Sequence, residues 1–150
     1  MSHGRRPQPS SDAAAYDFAR LATEPFVLLT TFRRSGAPVP TPVWAVAHDG
    51  ALAISTPAGA GKLKRLRHTS AVTVQACSRR GTPVPGAPVL RGTAQPVPDA
   101  QARRAVEQAL ARKYGVEWKL AMAVEGLVSR VKTRKAPRPR VALLIHPARD

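Results

Sequence analysis

The chain has 150 residues, 43% of them hydrophobic, which favours a single domain with a hydrophobic core. A single cysteine, Cys77, excludes an internal disulfide, and four scattered histidines do not suggest a metal site. No apolar run has the roughly 18 residues that a membrane helix needs, and residues 1–12 lack the apolar part of a signal peptide. We therefore expect a soluble cytoplasmic protein.

Basic residues outnumber acidic ones by 24 to 9, and the net charge of +15 predicts an anionic partner. The interval between Asp49 and Asp99 contains no acidic residue. The cations in that interval are Lys62, Lys64, Arg65, Arg67, Arg79, Arg80 and Arg91. Because these like charges repel one another, a bound anion would stabilise the segment. A second basic stretch, residues 130–140, would also suit a nucleic-acid-binding protein, although seven aromatic residues supply few stacking platforms for bases.

Alternating and β-branched apolar runs predict six strands. They cover residues 25–32, 37–48, 51–56, 71–77, 87–97 and 138–147. The turn at residues 33–36 and the Asp49-Gly50 pair join the first three strands as hairpins. Prolines 38, 40 and 42 occupy every second position of the second strand. Since proline has no N–H donor, the first half of this strand is predicted to be a sheet edge or a bulged, ligand-facing segment.

Helical periodicity and capping residues predict four helices. They cover residues 13–22, about two turns within 57–70, residues 100–114 and residues 117–129. Residues 1–10 are polar and proline-rich, so we expect a disordered tail followed by one domain over residues 11–150. Short antiparallel connections favour a mainly β (α+β) fold, a small six-stranded barrel with flanking helices, over a doubly wound sheet.

The segment 56–67 is the best candidate for chemistry. Its glycines permit close approach of a ligand, and the start of the following helix presents unpaired amides to an anion. Lys62, Lys64 and Arg65 add positive charge at the same end. The segment is not a nucleotide P-loop, since it lacks the first glycine and the Ser or Thr after the lysine. A solvated basic helix face is the alternative to a phosphate site.

Five blocks of this sequence together resemble the flavin and deazaflavin oxidoreductase superfamily, whose members share the split β-barrel of pyridoxamine 5′-phosphate oxidase. The blocks are the Arg33–Gly36 turn, Thr41-Pro42-Val43-Trp44, Asp49-Gly50, Thr56 with Gly61–Arg67, and Val72–Cys77. The similarity covers residues 16–147 and is most specific in the Gly-Lys-x-Lys-Arg-Leu-Arg block. It is greatest to the coenzyme F-420-dependent branch.

The resemblance implies an oxidoreductase that transfers a hydride from the deazaflavin coenzyme F-420 to a small conjugated substrate, in a homodimer with the cofactor at the subunit interface. It implies three groups of cofactor-binding residues. They are Thr41, Pro42, Val43 and Trp44 along the ring, Thr56, Gly61 and Lys62 at the phosphate, and Lys64 and Arg65 at the phosphate or an acidic tail. An FMN enzyme or flavin carrier of the same fold is the alternative, because FMN also needs Thr56 and Lys62.

Two further residues have competing interpretations. Trp44 is either a cofactor-facing ring or a core residue of the barrel. Cys77 is followed closely by two arginines that could lower its pKa, but a buried structural thiol is the favoured interpretation. The sequence has no Ser-His-Asp set and no paired carboxylates that demand acid–base catalysis, so no catalytic residue is assigned.

Overall fold

The computed structural model describes residues 18–97, 99–133 and 140–148. The strands are β1 (Val27–Phe32), β2 (Pro38–Val43), β3 (Val46–His48), β4 (Ala51–Pro57), β5 (Ala71–Ala76), β6 (Leu90–Pro96) and β7 (Arg140–Pro147). The helices are α1 (Gly61–His68), α2 (Ala100–Tyr114) and α3 (Val116–Thr133). Residues 18–21 are also helical. All neighbouring strands are antiparallel, in the order β2-β1-β5-β6-β7-β4-β3, which confirms the curled antiparallel sheet with flanking helices.

The single strand predicted for residues 37–48 is instead two strands, which gives seven strands in place of six. The chain leaves the ladder at Trp44 and Ala45, because β2 pairs with β1 at one end of the sheet and β3 pairs with β4 at the other. Ala45 is fully buried at this crossing, so its backbone needs other partners. The Tyr114 hydroxyl accepts from its N–H at 3.1 Å, and the Lys113 ammonium donates to its carbonyl at 2.6 Å.

The three prolines of β2 follow a rule set by strand pairing. They stand opposite Leu28, Thr30 and Phe32 of β1. In an antiparallel pair, alternate residues direct both N–H and C=O away from the partner strand. Proline cannot donate to β1, so positions 38, 40 and 42 must be these outward-facing ones. β2 is the last strand of the described sheet, as predicted, and its free edge presents carbonyl groups without N–H groups.

Two hydrophobic clusters lie on the two faces of the curled sheet. The inner face is filled by large residues that include Leu29, Leu52, Ile54, Leu143 and Ile145, all at most 1% exposed. The outer face carries α2 and α3, which bury Val106, Leu110 and Trp118 against Ala53 and Ala142. Alternation along β4 and β7 explains this division, because successive residues of a strand point to opposite faces.

Local signals account for the helices and one hairpin. The α2 helix covers residues 100–114 as predicted; the Asp99 carboxylate accepts from Ala102 N at 2.7 Å, and Gly115 follows with a φ of 58°. Asp49 and Gly50 have φ angles of 48° and 77°, which suit the predicted tight hairpin. The α3 helix is longer than predicted, and β6 begins at Leu90, three residues later than predicted.

Two predictions concern parts of the chain only partly described. The tail proposed for residues 1–10 and the first half of the helix proposed for residues 13–22 lie outside the described residues. No described helix has both the length and the apolar character needed to cross a membrane.

Candidate functional site

The end of β4 and the start of α1 bring two predicted residues into contact. Thr56 is the next-to-last residue of β4 and is only 1% exposed. Lys62, the second residue of α1, is half-buried, and its ammonium lies 3.4 Å from the Thr56 hydroxyl. The helix begins after Ala60, which supplies no side-chain cap, and the first turn contains no acidic residue. Its first amides therefore lack a side-chain acceptor from the cap, an arrangement that suits an anion.

Arg65 folds back over the beginning of the same helix. Its guanidinium Nε donates to the hydroxyl of Thr31 at 2.6 Å, and Thr31 is 1% exposed at the end of β1. A Cβ added to Gly61 would lie 2.9 Å from Arg65 Nη1, so glycine at this position leaves space for the guanidinium. Lys62 and Arg65 thus contact two buried threonines at one end of the barrel.

The electrostatics of the helix start are dominated by positive charge. Burial lowers the pKa of Lys62, and the nearby charges of Arg65 and Arg140 lower it further. Protonated Lys62 is therefore disfavoured by its surroundings in the absence of an anion. A negatively charged group bound beside these three cations would favour the protonated ammonium and relieve their repulsion.

Arg140, the first residue of β7, connects this cluster to α3. Its guanidinium donates to the Ser55 hydroxyl at 2.8 Å and to the Ser55 carbonyl at 3.0 Å, and it forms an ion pair with the carboxylate of Glu125. The guanidinium also lies 5.8 Å from the Trp118 ring centroid. These contacts fix Arg140 at the outer face of β4, where its charge acts on Lys62 without a direct bond.

A shallow basic groove lies beside the second half of α1. It has a volume of about 400 Å³ and runs between the β1–β2 turn and the outer side of α1. We call it the basic groove; its lining residues are Arg33, Arg34, Lys64, Arg65, Arg67 and His68. No lining residue is acidic. The groove is therefore suited to an extended anion, and Arg65 belongs both to it and to the cluster around Lys62.

The residues predicted along a cofactor ring occupy the end of β2 and the bend after it. Thr41, Pro42 and Val43 are half-buried, and no hydrogen bond in the described part of the chain joins them to Lys62. The Trp44 ring stacks on Tyr114 with centroids 4.8 Å apart and lies 5.9 Å from the Trp118 ring. This packing supports the core interpretation of Trp44, and contact of the ring with a cofactor stays a prediction.

Cys77 is buried at the end of β5, and burial raises the pKa of its thiol. Its backbone forms an isolated antiparallel bridge with Pro83, and Cys77 is not part of the basic cluster. The favoured interpretation as a structural thiol agrees with this environment, whereas a pKa lowered by the neighbouring arginines does not. Among the described residues there is no group of His, Cys, Asp or Glu suited to a metal ion.

The structure therefore brings together Thr56, Gly61, Lys62 and Arg65, and it places Lys64 on the adjacent groove. Sequence reasoning missed Thr31, which is 34 positions from Arg65 and has no motif of its own. From the sequence, Arg140 is only the last residue of the basic stretch 130–140, with no indication that it lies beside Lys62.

Comparison with known proteins identifies the fold independently. The profile described as pyridoxamine 5′-phosphate oxidase matches residues 15–149. A search of curated proteins gives no match. Similar solved structures include the conserved hypothetical protein Rv2991 from Mycobacterium tuberculosis, with 21% identity and a TM-score of 0.63 over 99% of this chain and 87% of that chain.

Two further structures have informative names. An FAD-binding protein from Mesorhizobium loti is 16% identical, with a TM-score of 0.58 over 93% of this chain and 90% of that one. An F-420 reductase is 17% identical, with a TM-score of 0.56 over 88% of this chain and 94% of that one. At these identities the structural similarity establishes the fold alone. The profile match spans nearly the whole sequence, and the chain belongs to the pyridoxamine 5′-phosphate oxidase family.

Proposed function

We propose that this protein is a coenzyme F-420-dependent oxidoreductase that transfers a hydride to a small conjugated substrate. The proposal starts from a fold whose solved members include an F-420 reductase and an FAD-binding protein. The observation that carries it is the cluster of Lys62, Arg65 and Arg140 at the start of α1. Burial lowers the pKa of Lys62, the charges of Arg65 and Arg140 lower it further, and a phosphate at that position would be favoured by all three cations.

The residues present fit the phosphate of such a cofactor. Lys62 and the first amides of α1 would donate to it, and the Thr56 hydroxyl lies 3.4 Å from the Lys62 ammonium. Arg65 is positioned by Thr31 and would supply a second cation. Arg140 is already bonded to Ser55 and Glu125, so its contribution would be a fixed positive charge.

The basic groove favours the deazaflavin over FMN. FMN ends in one phosphate, whereas coenzyme F-420 has an acidic tail beyond its phosphate. Arg33, Arg34, Lys64 and Arg67 lie outside the phosphate cluster and would be superfluous for FMN, but they suit a carboxylate chain. FMN or FAD binding is the second candidate, since the phosphate cluster itself would serve a flavin equally well.

The bound deazaflavin would supply the hydride, and this chain's residues would bind and orient it. The free edge of β2 carries outward-facing carbonyls near Thr41, Pro42 and Val43, so it can accept hydrogen bonds from ring N–H groups. A buried bend at Ala45, held by Lys113 and Tyr114, fixes the end of this edge. We propose that a homodimer completes the site, with the ring between the subunits.

Nucleic-acid binding has weaker support. Single-stranded nucleic acids bind by stacking bases on accessible aromatic rings. Trp44 packs on Tyr114 and on Trp118 beside α2 and α3, so these rings are occupied by intramolecular contacts. Filter binding across a range of salt concentrations tests this alternative, and nanomolar, sequence-specific binding would favour it over the enzyme.

A titration of the purified protein with coenzyme F-420 and with FMN tests the proposal. We expect tighter binding of F-420. The double variant Arg33→Ala/Arg34→Ala should lose F-420 affinity and keep FMN affinity, because only the longer anion reaches the groove. Arg79→Ala/Arg80→Ala is the matched control, since it removes the same charge from exposed positions elsewhere. Tighter binding of FMN by the unaltered protein, or equal losses in the two double variants, would contradict the proposal.

A further inference from the structure

A cavity of about 230 Å³ lies between the β5–β6 loop and the segment that precedes β1. One wall is formed within residues 20–24, and the other is residues 84–88 of the proline-rich loop. Ala76, at the end of β5, and Leu90, at the start of β6, complete the lining. The cavity shares no lining residue with the basic groove or with the cluster around Lys62, so it is a separate feature of the described chain.

Hydrogen bonds to β5 fix the loop wall of this cavity. The backbone N–H of Val84 donates to the carbonyl of Ala76 at 3.0 Å, and that of Ala87 donates to the carbonyl of Val84 at 3.0 Å. The side-chain amide of Gln75 donates to the carbonyl of Ala87, also at 3.0 Å. Because both ends of the wall are bonded to one strand, the cavity is built into the fold of the cofactor-free chain.

The register of the sheet places this cavity near the end of β2. Val43 stands opposite Val27 of β1, and Val27 stands opposite Ala76 of β5. Val43 and Ala76 therefore share one face of the sheet and are separated by two strand spacings, roughly 10 Å. The same loop also reaches β2, since a Cβ added to Gly81 would lie 3.5 Å from Pro42 Cδ. The cavity thus adjoins the strand end where the ring of the proposed cofactor would lie.

Lys113 joins the other wall to the bend that follows β2. Its ammonium donates to the backbone carbonyls of Ala22 and Glu24 at 2.7 Å and 2.8 Å, and to the carbonyl of Ala45 at 2.6 Å. The segment that carries Leu21 into the cavity is therefore held against the bend. Both walls of the cavity are connected in this way to the segment predicted to lie along the cofactor ring.

The charge and the size of the cavity indicate what it can hold. The charged residues that line it, Arg20 and Glu24, are of opposite sign, so the cavity favours neither an anion nor a cation. The other described lining residues are aliphatic, proline or glycine, which favours an apolar ligand. An apolar cavity of about 150 Å³ takes up benzene, whereas drug-sized ligands occupy about 300–1,000 Å³. The volume of 230 Å³ lies between these limits and fits one ring with small substituents.

We propose that this cavity is the substrate site and that it takes a neutral, mainly apolar molecule with a single conjugated ring. The proposal rests on the proposed function and adds the size and charge of the substrate. The β5–β6 loop then determines specificity, because its side chains form one wall of the cavity. Recognition would be divided between two places: the basic groove selects an anionic cofactor, and the cavity selects an uncharged substrate.

An NMR titration of the cofactor-free protein with acetophenone tests the cavity separately from the cofactor. We expect saturable shifts of the backbone amide signals of Leu21, Ala76 and Ala87. Benzoate, which is charged, and 2-acetylnaphthalene, which has a second ring, should each bind on the order of tenfold more weakly. Shifts concentrated on another part of the chain, or equal affinities for the three compounds, would overturn the proposal.

Two valines of the loop supply a matched pair of variants. Val84 lines the cavity and is 41% exposed, so Val84→Trp can fill the cavity without altering the core. Acetophenone affinity should then fall on the order of tenfold or more, since the indole occupies the space of the ligand. Val89 is 57% exposed in the same loop and does not line the cavity, so Val89→Trp should bind acetophenone as the unaltered protein does. Equal affinities in the two variants would contradict the proposed site.

Steady-state kinetics with cyclohex-2-enone test whether the cavity is the substrate site. This compound gains a hydride at its β-carbon from the reduced cofactor and a proton at its α-carbon from water. With whichever of F-420 and FMN the protein binds, Val84→Trp should raise KM several-fold and leave the Kd of the cofactor unchanged. An unchanged KM despite weaker acetophenone binding would refute the assignment to the substrate. A protein that binds neither cofactor would instead contradict the proposed function, and the NMR titration would still decide whether the cavity binds a neutral ring.

Discussion

Replacing Lys62 tests the phosphate cluster most directly. A charge-assisted hydrogen bond from its ammonium to a phosphate is worth roughly 1.5–3 kcal/mol. At about 1.4 kcal/mol per tenfold change, Lys62→Met should weaken F-420 binding on the order of 10- to 100-fold. Methionine retains the apolar part of the side chain, so the packing around α1 is preserved. Calorimetric titration of the variant with F-420 gives this ratio.

The same substitution should leave the cofactor-free protein as stable as before, or more stable. Lys62 is half-buried beside two other cations, and its bond to Thr56 is long at 3.4 Å. Urea unfolding measures this effect. Arg67→Met is the control, because Arg67 is an exposed residue of the groove and contributes less to the phosphate; its effect on affinity should be several-fold weaker. Equal and negligible affinity losses in both variants would show that α1 begins as a solvated basic helix without a phosphate site.

Three other predictions concern stability. Arg65→Met should lower the free energy of unfolding, measured in urea, by about 1–2 kcal/mol. Adding Thr31→Val should restore most of this loss, because both partners of the hydrogen bond are then apolar. Lys113→Met should lower the free energy of unfolding by about 2–4 kcal/mol, because the Lys113 ammonium donates to three backbone carbonyls. A loss below about 0.5 kcal/mol, roughly the smallest net contribution of one hydrogen bond, would contradict this prediction. At pH values between the lowered pKa of Lys62 and the ordinary lysine pKa, Lys62 is protonated more in the unfolded state than in the folded state. The free energy of unfolding should therefore rise with pH in this range, and Lys62→Met should reduce that slope.

Local signals explain which parts of the fold were predictable. The α2 helix was predicted to the residue because Asp99 and Gly115 act on the turns beside them. The Asp49-Gly50 hairpin depends in the same way on two adjacent residues. The division of the strand at Trp44 and Ala45 was not predictable, because the groups that replace the lost ladder partners come from α2, nearly seventy residues later in the chain.

The candidate site shows the same limit. Thr56, Gly61 and Lys62 lie within one short segment, so their spacing alone indicated an anion site. The positions of Thr31 and Arg140 depend on how the sheet curls and on the pairing of β4 with β7. Neither relation leaves a pattern in the sequence.

The prolines of β2 also determine what can happen at the open end of the sheet. An ordinary edge strand offers donors and acceptors, and a strand from another molecule can add to it and begin aggregation. The outward positions of β2 offer acceptors alone, so an added strand would keep its own carbonyls unsatisfied. The edge is thereby disfavoured for an added polypeptide strand, whereas its carbonyls can accept hydrogen bonds from the ring of the proposed cofactor. Resistance to aggregation and the acceptors that the proposed cofactor ring would use thus come from the same three residues.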